Sequence, residues 1–204
     1  MIDVKTDITY RRTTPYMRVK LMLDIIAALV LIILFAPLLI LIAILVRIDS
    51  PGPAIYRQER IGRLGKQFTM LKFRTMKIGT PTLSTEDMQK QVAIPFTRLG
   101  PFLRKSNLDE LPQLFNILRG QMSFIGPRPA LPTQIDVITL REKSGAHFIR
   151  PGITGLAQAK GRDDLDNETK VAYDTEYYRK MSFFFDAKVL LMTIGAVLSA
   201  RGNK

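Results

Sequence analysis

An apolar run at residues 21–46 is the feature that most limits what this chain can fold into, and Asp24 is its only charged residue. A helix of about 20 apolar residues is long enough to span a bilayer. The apolar core is too long for a cleavable signal sequence, and no small-residue cleavage pattern follows it. The run therefore predicts a helix that stays in the membrane.

Two features of this run argue against a simple transmembrane span. Pro37 lies inside it and is expected to break or sharply kink the helix, because proline lacks a backbone N–H. Basic residues flank both ends, from Arg11 to Lys20 and from Arg47 to Arg63, and the positive-inside rule favours both ends on the cytoplasmic face. We expect a re-entrant helix-break-helix that enters one leaflet and returns. An ordinary kinked transmembrane helix is the alternative.

The composition limits the chemistry that is available. The net charge of +12 calls for an anionic partner, which charge alone leaves open among nucleic acid, anionic lipid and a phosphorylated substrate. The chain has no cysteine, so disulfides, thiolate nucleophiles and zinc-thiolate sites are excluded. His147 is the only histidine, which rules out a multi-histidine metal site. What remains is oxygen chemistry with a hard cation such as Mg²⁺.

The pattern after the apolar run predicts an α+β fold that is mainly helical. A short strand is expected at 54–56, a glycine-rich basic turn at 60–66 and a basic strand or irregular segment at 68–76. An amphipathic helix is expected at 131–149 and a polar helix at 163–178. Two apolar segments suit amphipathic helices at a membrane interface: a basic one at 97–105, and 181–199, for which a core helix is the alternative. We divide the chain into a basic N-terminus with its membrane helix (1–48) and a cytosolic domain lying on the membrane surface (49–204).

Residues 106–129 contain two adjacent carboxylates, Asp109 and Glu110. Pro112 is tolerated only in the first turn of a helix, so this helix is expected to start near Leu108 or Asp109 and to stop at Gly120. A helix start favours anions, including phosphate. Such a pair is most often a simple cap, so its position alone does not establish catalysis.

The motifs taken together resemble the small monotopic phosphoglycosyl transferases that begin the assembly of bacterial surface glycans. The resemblance covers nearly the whole chain, and its parts occur in the order typical of that family. They are the apolar run with Pro37, QERIG at 58–62, KFRTM at 72–76, DELPQLFN at 109–116, GPRP at 126–129, RPGITG at 150–155, and Gln158 with Gly161 and Arg162. One departure is Gln121, where the family usually has aspartate, so no acidic role is expected at that position.

The resemblance implies transfer of a sugar 1-phosphate from a UDP-sugar to a polyprenol phosphate, such as undecaprenyl phosphate, with release of UMP. It also implies a re-entrant helix, dependence on Mg²⁺, and a covalent phospho-sugar intermediate on Asp109. The expected location is the cytoplasmic face of the bacterial inner membrane. Anionic membrane lipids are expected partners, nucleic acid is not, and a homodimer is allowed.

These expectations assign roles to individual residues. We expect Asp109 to be the nucleophile, already ionised because the reference pKa of aspartate is about 3.9. Glu110 would help to hold Mg²⁺ with Asp109 or position the acceptor, since adjacent helical side chains diverge by roughly 100°. The expected ligands for phosphate or substrate are Arg128, Arg104, Lys72, Arg74, Arg150, Arg162 and Gln158. The competing hypotheses are a Mg²⁺-dependent membrane phosphohydrolase and a noncatalytic basic module tethered to the membrane. The sequence does not identify the sugar.

Overall fold

The computed structural model describes residues 15–80, 95–161 and 165–198. Arg162, most of the N-terminal basic segment and most of the predicted polar loop at 78–91 lie outside these ranges. The described residues are mostly helical and contain two small sheets, which confirms the α+β, mainly helical prediction.

The apolar run forms α1 (Pro15–Asp49), a helix of 35 residues that continues through Pro37. The chain stays helical at this proline, so the predicted break is absent, while the sharp kink given as the other outcome stays a prediction. Beside Pro37, Leu38 and Leu39 pack against the buried cluster formed by Ile42, Val46, Phe73 and Leu103. The helix is long and apolar enough to cross a membrane.

One face of α1 packs against the rest of the chain along nearly its full length. The buried residues recur at helical spacing and are Met17, Lys20, Asp24, Ala28, Ile42 and Val46. The remaining surface of α1 is covered with exposed apolar side chains, such as Ile33 and Leu34. Both halves of the helix thus contact the same body, which we define as the residues that the structure describes between 50 and 198.

Two strands follow α1: the second is close to its predicted position, whereas the first continues past the predicted 54–56 into the predicted turn. β1 (Ile55–Ile61) and β2 (Gln67–Phe73) pair antiparallel, with Ile55 opposite Phe73 and Ile61 opposite Gln67. Phe68 and Met70 of β2 pack against Ala28 of α1. The hairpin therefore lies directly on the membrane helix.

The other elements are short, apart from the last two helices. They are α2 (Gly100–Lys105), α3 (Gln113–Leu118), β3 (Ser123–Ile125), α4 (Ile135–Ser144), β4 (Gly152–Thr154), α5 (Leu156–Lys160), α6 (Asn167–Lys180) and α7 (Phe183–Leu198). β3 and β4 pair in parallel. The helix predicted at 131–149 is shorter because Gly145, with φ of +82°, ends α4, and a 3₁₀ turn follows.

A buried polar network joins α1 to the last two helices. The carboxylate of Asp186 on α7 accepts hydrogen bonds from the Lys20 ammonium (2.6 Å), the Tyr16 hydroxyl (2.7 Å) and the Tyr177 hydroxyl (2.6 Å). Because the carboxylate is buried but has several donors, its charge is compensated. The network fixes α7 beside the N-terminal half of α1.

Helix α7 is not a fully buried core helix. Val189 is completely buried, but Phe183, Phe184 and Leu191 are largely exposed. An exposed apolar face beside the membrane helix favours the interfacial alternative for this segment.

Candidate active site

The two adjacent carboxylates lie in a 3₁₀ turn, Leu108–Glu110, and not at the start of an α-helix as predicted. α3 begins only at Gln113, after Pro112. Proline has no N–H to donate back to Leu108, so the backbone before it closes i to i+3 bonds, such as Leu111 N–H to the Leu108 carbonyl. Asn107, with φ of +56°, turns the chain sharply into this segment.

Asn116 on α3 fixes this segment to strand β2. Its side chain is fully buried, accepts a hydrogen bond from Leu71 N–H (3.0 Å) and donates to the Thr69 carbonyl (2.7 Å). Asn116 also donates to the Gln121 side-chain oxygen (2.8 Å). The residue that departs from the family pattern thus has a structural contact, and β2 is held with Lys72 facing the carboxylates.

Asp109 is a buried carboxylate, with only 6% of the residue exposed. Burial raises its pKa to about 6; Glu110 adds to this rise, while Lys72, Arg104 and Arg128 oppose it. Across residues 15–80, 95–161 and 165–198, this carboxylate has no hydrogen bond or salt bridge. The pKa of Asp109 in the fold is therefore higher than the reference value expected from the sequence, because burial disfavours the ionised carboxylate.

Glu110 has quite different surroundings. The Lys72 ammonium forms a salt bridge with it at 2.6 Å, and the Arg128 guanidinium lies 3.9 Å from the same oxygen. The Arg128 side chain is 45% exposed, so it can still contact a ligand. The adjacent carboxylates therefore differ physically: Asp109 is free to react or bind a cation, whereas Glu110 holds two cations at the site.

Arg128 lies in the turn at 126–129, which two other arginines hold through its carbonyl groups. Arg60 donates to the Pro129 carbonyl (2.9 Å), and Arg141 donates to the Arg128 carbonyl (2.9 Å). Arg141 is itself held by the buried Asp174, through two hydrogen bonds of 2.9 and 2.7 Å. The turn is therefore fixed from two sides.

The sequence did not reveal the roles of these supporting residues. Arg60 lies in a recognised motif, but nothing in the motif shows what its guanidinium contacts. Arg141 and Asp174 lie 33 residues apart in two polar helices, where their charges look like ordinary surface charges. A helical arginine facing a helical aspartate becomes visible only when α4 packs against α6.

The other predicted ligands divide into two groups. Arg104 and Gln158 line the same cavity as the carboxylates; the Arg104 guanidinium lies 5.4 Å from the centre of the Phe96 ring. The Gln158 amide oxygen and nitrogen are buried and have no hydrogen-bond partner in the part of the chain that the structure describes.

Arg74 and Arg150 instead bind the backbone. Arg74 also lines the cavity, but it is buried and donates to the Ser50 and Pro51 carbonyls just after α1 (2.5 and 2.7 Å). Arg150 donates to the Gly120 carbonyl (2.8 Å) and is not among the described residues that line the cavity. These contacts give both arginines a structural task.

The cavity at this site has a volume of about 1690 Å³ and brings together Asp109, Glu110, Lys72, Arg128 and Gln158. Small-molecule sites typically occupy about 300–1,000 Å³, so this cavity has room for two substrates. Its wall includes Leu31 and Phe35 of the membrane helix. The cavity that contains the carboxylates therefore extends to α1.

The donor set at the site fits one kind of metal ion. No group of three or more acidic, histidine or cysteine side chains occurs in the described ranges, so a cage made of protein ligands alone is absent there. Mg²⁺ usually binds one or two carboxylates and completes its shell with water and substrate phosphates. Asp109 and Glu110 together fit this pattern.

Comparisons with known proteins agree on one family. A family model described as bacterial sugar transferase matches residues 15–200. The chain is 39% identical over 198 residues to the exopolysaccharide production protein ExoY of Rhizobium meliloti (strain 1021), covering 88% of this chain and 85% of that protein.

Two further relatives have names that state a reaction. A UDP-glucose:undecaprenyl-phosphate glucose-1-phosphate transferase of Caulobacter vibrioides is 40% identical over 190 residues, which cover 88% of this chain and 70% of that protein. A UDP-N-acetylgalactosamine-undecaprenyl-phosphate N-acetylgalactosaminephosphotransferase of Aeromonas hydrophila is 36% identical over 200 residues. This match covers 93% of this chain but only 46% of that protein, so the chain spans less than half of this relative.

The unequal surroundings of the two carboxylates predict opposite effects on stability. A pKa raised from 3.8 to about 6 corresponds to a cost of the order of 3 kcal/mol for the ionised form, at about 1.4 kcal/mol per pKa unit. Asp109→Asn removes this cost and should raise the thermal midpoint in detergent micelles at pH 7. The gain should shrink toward pH 4, where the native carboxyl is already protonated.

Glu110→Gln is the matched control, because it loses the salt bridge to Lys72 and should lower the thermal midpoint. A lower midpoint for both variants at pH 7 would contradict the unpaired, destabilising position of Asp109.

Proposed function

The chain belongs to the bacterial sugar transferase family, and we propose that it transfers a sugar 1-phosphate from a UDP-sugar to undecaprenyl phosphate with release of UMP. The single observation that carries this proposal is the buried, unpaired carboxylate of Asp109 in a cationic cavity beside a membrane helix. The names of two relatives state the same type of reaction. Those names differ in the sugar, so the donor sugar of this chain is left to experiment.

We propose that Asp109 is the nucleophile. Its carboxylate oxygen attacks the phosphorus that bears the sugar, and the bond from that phosphorus to UMP breaks. The product is a sugar phosphate bonded to Asp109, with UMP as the leaving group. A phosphate oxygen of undecaprenyl phosphate then attacks the same phosphorus and releases the Asp109 carboxylate.

The environment of Asp109 suits this role. A pKa of about 6 leaves the carboxylate mostly ionised at neutral pH, so no separate base is needed to activate it. Burial limits its hydration, so few water molecules must leave before the attack. An anion that attacks a diphosphate must still overcome charge repulsion, and the neighbouring cations reduce it.

We assign those cations separate tasks. Arg128 contacts the diphosphate, because its exposed guanidinium faces the cavity from a fixed turn. Lys72 is held by the same Glu110 oxygen that Arg128 approaches, and it supports the same phosphate charge. Arg104 lines the cavity wall and is the third candidate. Arg162 stays a prediction from the family pattern.

Mg²⁺ is the cofactor that the family resemblance implies. Asp109 and Glu110 would hold it together with the diphosphate of the donor. When bound, the ion neutralises phosphate charge and so lowers the barrier to attack by an anion.

We propose that α1 kinks at Pro37, so that it enters the membrane from one side and returns to the same side. Support comes from the contacts of both halves of α1 with the same body, and from basic residues at both ends of the apolar run. On this basis the body lies at the cytoplasmic face of the inner membrane. The exposed Phe183 and Phe184 of α7 then lie at the interface, and the net charge of +12 favours anionic lipids.

The function is tested by measuring UMP release in detergent from a panel of UDP-sugars. At least one donor should give UMP when undecaprenyl phosphate and Mg²⁺ are both present, together with a lipid-linked sugar diphosphate. Chelation of the metal should stop the release. Free sugar phosphate formed without any lipid acceptor would instead indicate a phosphohydrolase, and salt-sensitive binding to DNA without UMP release would indicate a noncatalytic basic module.

Because Arg141 fixes the turn that carries Arg128, we expect a substitution at Arg141 to lower activity through Arg128. Arg141→Lys keeps the charge but replaces the planar guanidinium, so it cannot keep all three hydrogen bonds to Asp174 and the Arg128 carbonyl. We expect kcat/KM to fall about tenfold, within the usual range of coupling energies. In an Arg128→Ala background, the same substitution should cost less than about twofold.

Arg119→Lys is the matched control, since Arg119 is exposed, and it should leave kcat/KM unchanged. If the double variant loses kcat/KM by the product of the two single-variant losses, Arg141 does not act through Arg128.

A further inference from the structure

The cavity extends beyond the carboxylates into an apolar groove between two helices. One wall consists of Leu31 and Phe35 on α1, and the other consists of Thr193 and Ala196 on α7. Phe124 of β3 and Ile153 of β4 form the floor. We call these six residues the tail groove.

Contacts between the elements show that the walls and floor belong to one structure. Leu31, Phe124 and Ile153 pack together around the buried cluster that contains Ala28. The Thr193 hydroxyl is hydrogen-bonded to the Thr154 hydroxyl at 2.8 Å, which joins α7 to the end of β4. The two short parallel strands, β3 and β4, therefore connect α1 to α7.

The outer rims of the tail groove are apolar and exposed. Leu34 is 65% exposed on α1 and Leu190 is 47% exposed on α7, each about a quarter turn around its helix from the residues that line the groove. Contact with water is unfavourable for such apolar side chains, whereas contact with lipid chains is not. The groove thus opens toward the surface that the membrane covers.

The inner end of the groove is cationic. β3 ends at Ile125, directly before the turn that carries Arg128, and the same cavity contains Asp109, Glu110 and Lys72. A ligand that fills both parts must have an anionic head and a long apolar tail. A UDP-sugar has no apolar part that would occupy the groove, so the donor alone does not account for it.

We propose that the tail groove binds the first isoprene units of the acceptor lipid and directs its phosphate toward Asp109. This assignment rests on the proposed function, and it adds the location of the lipid and the residues that select it. α1 and α7 then act together, because the Asp186 carboxylate of α7 accepts hydrogen bonds from Tyr16 and Lys20 of α1 and holds the two helices side by side.

Kinetics with long and short acceptors test the groove. Ala196→Trp places a large side chain on one wall, and Gly195→Trp is the matched control, because a Cβ at Gly195 meets open space and Gly195 is not among the described cavity residues. Ala196→Trp should lower kcat/KM about tenfold for undecaprenyl phosphate, as expected for steric overpacking, but less than about twofold for geranyl phosphate. Gly195→Trp should change neither value.

Equal losses for both acceptors, no loss for either, or the same loss in Gly195→Trp would each overturn the proposal. Activity toward geranyl phosphate also shows that Ala196→Trp folds and keeps its head-group site.

Photolabelling gives a measurement that does not depend on turnover. An undecaprenyl phosphate analogue with a diazirine near its phosphate should label peptides containing residues 31–35 or 193–196, and excess undecaprenyl phosphate should suppress the label. Labelling confined to other segments would refute the groove even if UMP release is normal. Competed labelling of these peptides without UMP release from any donor would support the groove and refute the transferase function.

Discussion

The packing of one face of α1 against the body is the interaction on which the rest of the structure depends. Residues from Met17 to Val46 contribute to it, so the membrane helix is a wall of the protein and not a detached anchor. β2 lies on this helix and carries Lys72, and α3 is tied to β2 through the fully buried Asn116. The carboxylates are therefore positioned relative to the membrane by a short series of direct contacts.

The fold keeps an unfavourable charge at the position where the proposed reaction needs a nucleophile. Asp109 is buried without a bonded partner among the described residues, and its raised pKa measures the cost. Glu110, one residue away, is stabilised by Lys72. The 3₁₀ turn makes this difference possible, because neighbouring side chains in it point in different directions. Polar groups without a partner at functional sites commonly lower the stability of a protein while they serve its activity.

Much of the fold could be predicted from the sequence because it depends on local patterns. The apolar run, the two strands of the hairpin and the last two helices follow from periodicity and turn residues. The carboxylate pair follows from its motif. Contacts between distant segments could not be predicted: Arg60 reaches a carbonyl 69 residues away, and Arg74 and Arg150 bind backbone carbonyls although their charge suggested phosphate. Charge is visible in a sequence, but the direction of a guanidinium group is not.

The most direct test of the account is to identify the residue that carries the sugar phosphate. Enzyme mixed with an active UDP-sugar in the absence of acceptor, then quenched rapidly and digested, should give one peptide that contains Asp109 and has gained the mass of the sugar phosphate. The same peptide from Asp109→Asn should gain nothing, and that variant should lose turnover. An adduct on another residue, or near-normal turnover in Asp109→Asn, would contradict the assignment of Asp109 as the nucleophile.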